Sequence, residues 1–195
     1  MPAVPAIDPA KSVLLVMDYQ PAVINTFPGI DALLARVEAA IDLGRKRGVT
    51  IGYVRVGFTD DDYAAVPEHN RLFAAIAADR QMHHDDPAAQ IDPRLAPQDG
   101  DIIVRKTRVG AFSTTDLDQQ LKQRGIDTLI LAGVSTSGVV LSTVRDAFDR
   151  DYRIYVLADA SGDRDDQVHT MLTEKLFPRQ AHVIVVDQLA ELLTR

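Results

Sequence analysis

A chain of 195 residues with 46% hydrophobic and 25% charged side chains has the composition of a soluble globular protein, long enough to enclose a core. Its formal net charge of −7 supplies no surplus of cations to displace phosphate counterions, so no nucleic-acid partner is expected. The absence of cysteine excludes disulfides, thiolate catalysis and cysteine-ligated metals, and no apolar run approaches the length of a membrane span.

The first apolar run, Ser12–Met17 (SVLLVM), has no basic region before it and meets Asp18 without a small-residue cleavage site. It reads as a strand covered on both faces and not as a signal peptide, so the cytoplasm is the expected compartment. Ile30, Leu33, Leu34, Val37 and Ile41 then fall at helical spacing, behind Pro28 and Gly29. The basic run Arg45, Lys46, Arg47 with Gly48 closes that helix. Val49–Val56 is a second strand.

The stretch from Gly57 to Gly100 is too long for a simple connection. It carries a helix around Glu68–Ala78 with Leu72, Phe73 and Ile76 on one side, and the remainder is rich in Pro, Asp and His. A lid or a subunit contact is the expected role, with a plain surface excursion as the alternative.

Asp101–Arg105 is the third strand. A short helix follows over Thr115–Gly125, with Thr114 or Thr115 as cap and Leu117 and Leu121 inward. Asp127–Ala132 is the fourth strand, and Val140, Thr143, Val144, Ala147 and Phe148 mark the helix leaving it. Arg153–Ala158, a helix over Gln167–Phe177 and a strand over His182–Val186 complete the order. Such alternation predicts an α/β fold with a mainly parallel sheet and right-handed crossovers, formed by residues 1–195 as one domain.

In such a sheet the ligand site lies beyond the carboxyl ends of the strands, where strand order reverses. Asp18 and Gln20 follow the first strand, Lys106 and Arg108 the third, and the small-residue turn Gly133–Gly138 the fourth. The common doubly wound order, 3-2-1-4-5-6, brings these three ends together. A carboxylate beside an ammonium is then a workable proton-transfer pair. An aspartate at a strand end is also an ordinary turn former, and Lys106 alone reads as a surface residue. The turn lets a ligand approach the backbone, and N–H groups at the following helix favour negative charge. It is equally the tight turn that such a junction prefers, and neither a dinucleotide fingerprint nor a phosphate-binding loop is present.

The segments LLVMDYQ, VRKTRVGAFSTTDLDQQLKQRGIDTLILAGVSTSGVVLSTVRDAF and VLADAS, with a later histidine, resemble the isochorismatase-like hydrolases over nearly the whole chain. The resemblance implies a three-layer α/β/α fold around a six-stranded parallel sheet, Rossmann-like. It also implies an Asp–Lys–Cys triad, with Asp18 and Lys106 at the first two positions. In the family's G-V-x-T-x-x-C-V-x-x-T pattern Gly133, Val134, Thr136, Val140 and Thr143 match, and Val139 stands where the cysteine nucleophile belongs. A cis Val134–Ser135 peptide bond is implied as well.

Val139 has no lone pair, which excludes acyl transfer through that position. Ser135, Ser137 and Ser142 lie nearby, but none occupies the nucleophile's seat and no histidine base is placed beside them. Isochorismatases proper also lack the cysteine. They protonate a vinyl ether carbon and add water, a chemistry in which Asp18 would be the acid and Lys106 its tuning partner.

An anionic substrate would be held by Arg55, Arg108 or both, since guanidinium forks match carboxylates. Gln20, Phe112, Val134, Ser135, Thr136 and Gly138 complete the expected binding and oxyanion set, and Phe58, Phe73 and Phe112 are candidates for a pocket wall or for ordinary core. His169 and Phe177 are expected in the core or at a subunit interface.

No metal or other cofactor is expected: the zinc-using members' Asp-x-His is absent, and His83 and His84, being adjacent, are not expected to converge on one ion. A small-molecule substrate, no membrane partner and a homo-oligomer (dimer or tetramer) are the expected associations. The residues leave open three readings: an Asp–Lys hydrolase of a small polar substrate, an inactive binding or scaffold protein of the same fold, and a structural oligomer component with no ligand.

Overall fold

The computed structural model describes residues 4–25 and 27–193. Six strands, β1 (Ser12–Met17), β2 (Thr50–Val56), β3 (Ile102–Lys106), β4 (Thr128–Val134), β5 (Arg153–Gly162) and β6 (His182–Ile184), form one sheet in the order β3-β2-β1-β4-β5-β6. Every pairing is parallel. The described helices are α1 (Pro21–Ile24), α2 (Ile30–Arg47), α3 (Asp60–Ala64), α4 (Arg71–Ala78), α5 (Leu117–Gln123), α6 (Leu141–Asp149), α7 (Asp166–Met171) and α8 (Val186–Leu192).

A strand's side chains point alternately to the two faces, and here both faces are covered. Leu14 and Val16 of β1 join Leu34, Val37 and Ile41 of α2 and Val186 and Leu189 of α8 in one core. Val13, Leu15 and Met17 join Leu117 and Leu121 of α5 and Val144 and Ala147 of α6 in the other. That double burial is why SVLLVM is apolar throughout, and no residue of β1 or β4 is exposed.

Local signals set the element ends. Gly48 stops α2 in the left-handed conformation (φ 81°), its N–H donating to the carbonyls of Gly44 and Arg45. Within the excursion 57–100, Thr59 and Asp62 form a capping box on α3, and Asn70 accepts the Phe73 N–H to start α4. A third apolar cluster, Phe58, Tyr63 and Phe73, packs this excursion against Val56 and Val109.

Several boundaries differ from the sequence reading; β4 and β5 run on to Val134 and Gly162, beyond Ala132 and Ala158, and α4 begins at Arg71. The sixth strand ends at Ile184 because Gln188 Oε1 accepts the Val185 N–H and Asp159 Oδ1 the Val186 N–H, which starts α8 instead. The helix read over Gln167–Phe177 is α7, capped by Asp165, followed by a π-helical turn over Leu172–Leu176 and a 3₁₀ turn at Phe177–Arg179, where Pro178 cannot donate. The cap of α5 is Asp116; Thr115 Oγ1 accepts the Leu117 N–H but also donates to Ala111 O.

Candidate active site

β1 and β4 lie side by side at the point where strand order reverses, and the site is built on their carboxyl ends. Asp18 directly follows β1. Its N–H extends the ladder to Val54 O at 2.9 Å, and its backbone then turns through the left-handed region (φ 63°), a conformation that aspartate tolerates better than most residues. The turn keeps the carboxyl at the strand tip, where it is 7% exposed.

Lys106 ends β3, whose register partner at that point is Val56 of β2. β2 therefore lies between the two strands, and Lys106 does not come from the strand adjacent to β1. Its long stem crosses that gap, and Nζ meets Asp18 Oδ2 at 2.8 Å. A second donor of the ammonium goes to Val109 O at 2.5 Å. At 1% exposure Lys106 is no surface residue.

The two carboxylate oxygens have different fates. Oδ2 is held by Lys106, whereas Oδ1 is buried with no hydrogen-bond partner, the one such side-chain atom among the described residues. Burial raises the Asp18 pKa above the ordinary carboxylate value, and the Lys106 charge and hydrogen bond pull against that rise. A carboxyl so placed can give a proton to, or take one from, whatever occupies the adjoining space.

That space is a cavity of about 360 Å³. Its lining includes Asp18, Lys106 and Arg108, the backbone turn carrying Val134, Ser135, Gly138 and Val139, and a wall from the excursion made by Leu72, Phe73, Ile76, Gln81 and Met82. The turn is tight for identifiable reasons. A Cβ on Gly133 would stand 3.2 Å from Met17 O, so glycine lets β4 close on β1. The Val134–Ser135 peptide bond is cis. Ser135 Oγ accepts the Gly138 N–H at 3.1 Å, and a Cβ on Gly138 would press on that oxygen at 2.8 Å. Thr136–Val140 is a π-helical turn, a geometry often found at functional sites. Val139, 2% exposed, presents an alkyl group to the cavity.

Four residues of the sequence-derived set do not line the cavity. Gln20 is fully buried and spends its amide on backbone: Nε2 donates to Val56 O and Ala89 O, and Oε1 accepts the Val56 N–H. It ties the end of β2 to the excursion. Arg55 donates to His84 O and Ala89 O, and so braces the same loop. Phe112 stacks on Tyr152 with ring centroids 5.9 Å apart, inside the core on the α5–α6 side. Thr136 is fully buried, its hydroxyl 2.8 Å from His169 Nδ1; burial lowers the His169 pKa and favours the neutral ring.

Arg108 remains at the cavity, with its guanidinium over the Phe73 ring at 5.4 Å. Gln81, Met82, Val109 and Arg164 also line the cavity but carried no pattern in the sequence. Leu72, Phe73 and Ile76 were legible as one face of a helix. His83 and His84 do approach each other, with ring centroids 4.8 Å apart, and can present ligand atoms together with Asp85 within 4.8 Å, against the expectation from adjacency. None of the three lines the cavity.

Residues 12–188 match the family model of the isochorismatase domain. The isochorismatase family protein YwoC of Bacillus subtilis (strain 168) is 34% identical over 173 residues, covering 89% of this chain and 89% of that one. N-carbamoylsarcosine amidase of Arthrobacter sp. is 31% identical over 137 residues, 70% of this chain and 52% of the relative. Among solved structures, a cysteine hydrolase from Pseudomonas syringae pv. phaseolicola 1448A superposes with a TM-score of 0.89 over 99% of this chain and 98% of that one, at 21% identity, a likeness of fold.

Proposed function

The chain belongs to the isochorismatase family of hydrolases, and on that premise we propose that it hydrolyses a small polar substrate by proton transfer through Asp18, tuned by Lys106, without a covalent nucleophile. The observation that carries this reading is the unpartnered, buried Oδ1 of a carboxyl whose other oxygen is held by a buried ammonium, at the wall of a cavity. A buried polar atom without a partner costs about 1–3 kcal/mol, and an occupant of the cavity can supply the missing bond.

The step that fits is protonation followed by hydration. Neutral Asp18 gives its proton to the substrate, for a vinyl ether to the alkene carbon, and the oxocarbenium that forms takes up water. A proton of that water returns to the carboxylate, and the hemiketal collapses to a carbonyl compound and an alcohol. Lys106 stabilises the carboxylate left after the first transfer. Val139 supports the absence of an acyl-enzyme, because an alkyl group has neither lone pair nor acidic proton.

The test is a panel of vinyl ethers, amides and carbamoyl compounds with the wild type and Asp18→Asn. Turnover of at least one compound by the wild type, falling about a thousandfold in the variant while affinity persists, supports acid catalysis. Unchanged turnover in Asp18→Asn rejects it. Binding without turnover by either form favours the second reading, a ligand-binding protein on the same fold, for which the alkyl group of Val139 is the observation.

A further inference from the structure

The excursion carries three neighbouring side chains of metal-ligating chemistry for which the proposed reaction has no use. We infer that His83, His84 and Asp85 bind one divalent transition-metal ion of the zinc type, outside the cavity. Nothing in this inference depends on the chemistry of Asp18.

Adjacent residues meet here because the chain turns. The Asp86 N–H donates to His83 O at 2.9 Å, which folds residues 83–86 back on themselves. One ligand atom from each of the three residues then falls within 4.8 Å of the other two. His84 Nδ1 already lies 3.1 Å from Asp85 Oδ1. Two ligands about 2.1 Å from one tetrahedral ion stand about 3.4 Å apart, so this pair has the required spacing. Neutral imidazole offers the Nδ1 lone pair to the ion when its proton sits on Nε2. The His83 and His84 side chains are 37% and 33% exposed, so a ring rotation can bring in His83 without opening a core.

The backbone beneath these side chains is fixed. The His84 N–H donates to Phe58 O at 2.9 Å, and His84 O accepts from Gln90 Nε2 at 2.6 Å and from Arg55 Nη1 at 3.3 Å. A framework held in this way reduces the ordering cost of binding. Two imidazoles with one carboxylate suit zinc, nickel or copper, whereas magnesium and calcium take oxygen ligands. The ligands come from a single turn and not from an Asp-x-His after β2, and none of them lines the cavity. Gln81 and Met82, which do line it, directly precede His83, so the ion would sit at the root of the excursion wall.

Zinc sulfate titrated into the full chain without a histidine tag, followed by imidazole ¹H–¹⁵N NMR, tests this directly. The rings of His83 and His84 should shift together and saturate at one equivalent, while those of His69 and His182 stay in place. His84→Gln and Asp85→Asn should each weaken binding at least about tenfold, with the amide spectrum of β1 and β4 unchanged as the report of an intact fold. Magnesium chloride should move neither ring.

No shift of His83 and His84 at about 1 mM zinc would overturn the inference. So would parallel shifts of His69 and His182, which mark adventitious surface binding. An affinity untouched by both substitutions, or a magnesium response equal to that of zinc, would overturn it as well. Should His84→Gln fail to fold, the outcome rests on Asp85→Asn, whose side chain is 75% exposed.

Discussion

Asp18 combines features that are individually unfavourable: a left-handed backbone, near-complete burial and an oxygen without a partner. Their balance has a measurable consequence. Burial raises the folded-state pKa, so the native state holds the proton more tightly than the unfolded chain does. The resulting stability is fully present below the ordinary carboxylate range and is lost as pH rises through the folded midpoint. Asparagine cannot titrate there. The stability of Asp18→Asn relative to wild type should therefore shift in the variant's favour as pH rises from about 4, read as urea midpoints across pH. A gap that is constant, or that moves the other way, contradicts the raised pKa. The position of Asp18 at the strand tip was legible because the apolar run ends there, whereas its partnership with Lys106 came from the family resemblance. Gln20, two residues on, was misread because its partners, Val56 and Ala89, lie 36 and 69 residues away and leave no local trace.

At the scale of elements, the excursion 57–100 forms one wall of the cavity, and Gln20 is one of the side chains that tie it to the sheet. Gln20 supplies three hydrogen bonds there, two to β2 and one to the loop before β3. Gln20→Leu keeps the volume but leaves Val56 and Ala89 backbone groups without those partners, at an expected cost of about 2–4 kcal/mol in unfolding free energy. Proteolysis should then begin within 84–89 before the sheet is cut; a change below about 0.5 kcal/mol would show that water replaces the amide. The strands and α2 were readable because continuous apolar runs and helical spacing report burial directly. The start of α8 was not. Val185 and Val186 prolong an apolar run, and only the side chains of Gln188 and Asp159 turn that run into a helix.

Across the whole molecule, the sheet order and the position of the site follow from strand–helix alternation and two-sided burial. The particular occupants of the cavity depend on how far side chains reach. Lys106 crosses β2 to find Asp18, while Phe112, from the same loop region as Arg108, turns away into the core against Tyr152. Neither direction is encoded in spacing alone. The fold thus encloses one acid and one ammonium beside a cavity, and the raised proton affinity of that acid is a property of the enclosure as a whole. Carboxyl ¹³C NMR titration of Asp18, assigned with Asp18→Asn, measures it directly. The midpoint should lie above the ordinary carboxylate range, about 4, and rise further in Lys106→Met, where the opposing charge is gone. A midpoint at or below that range, unmoved by loss of Lys106, would contradict an acid poised for proton transfer.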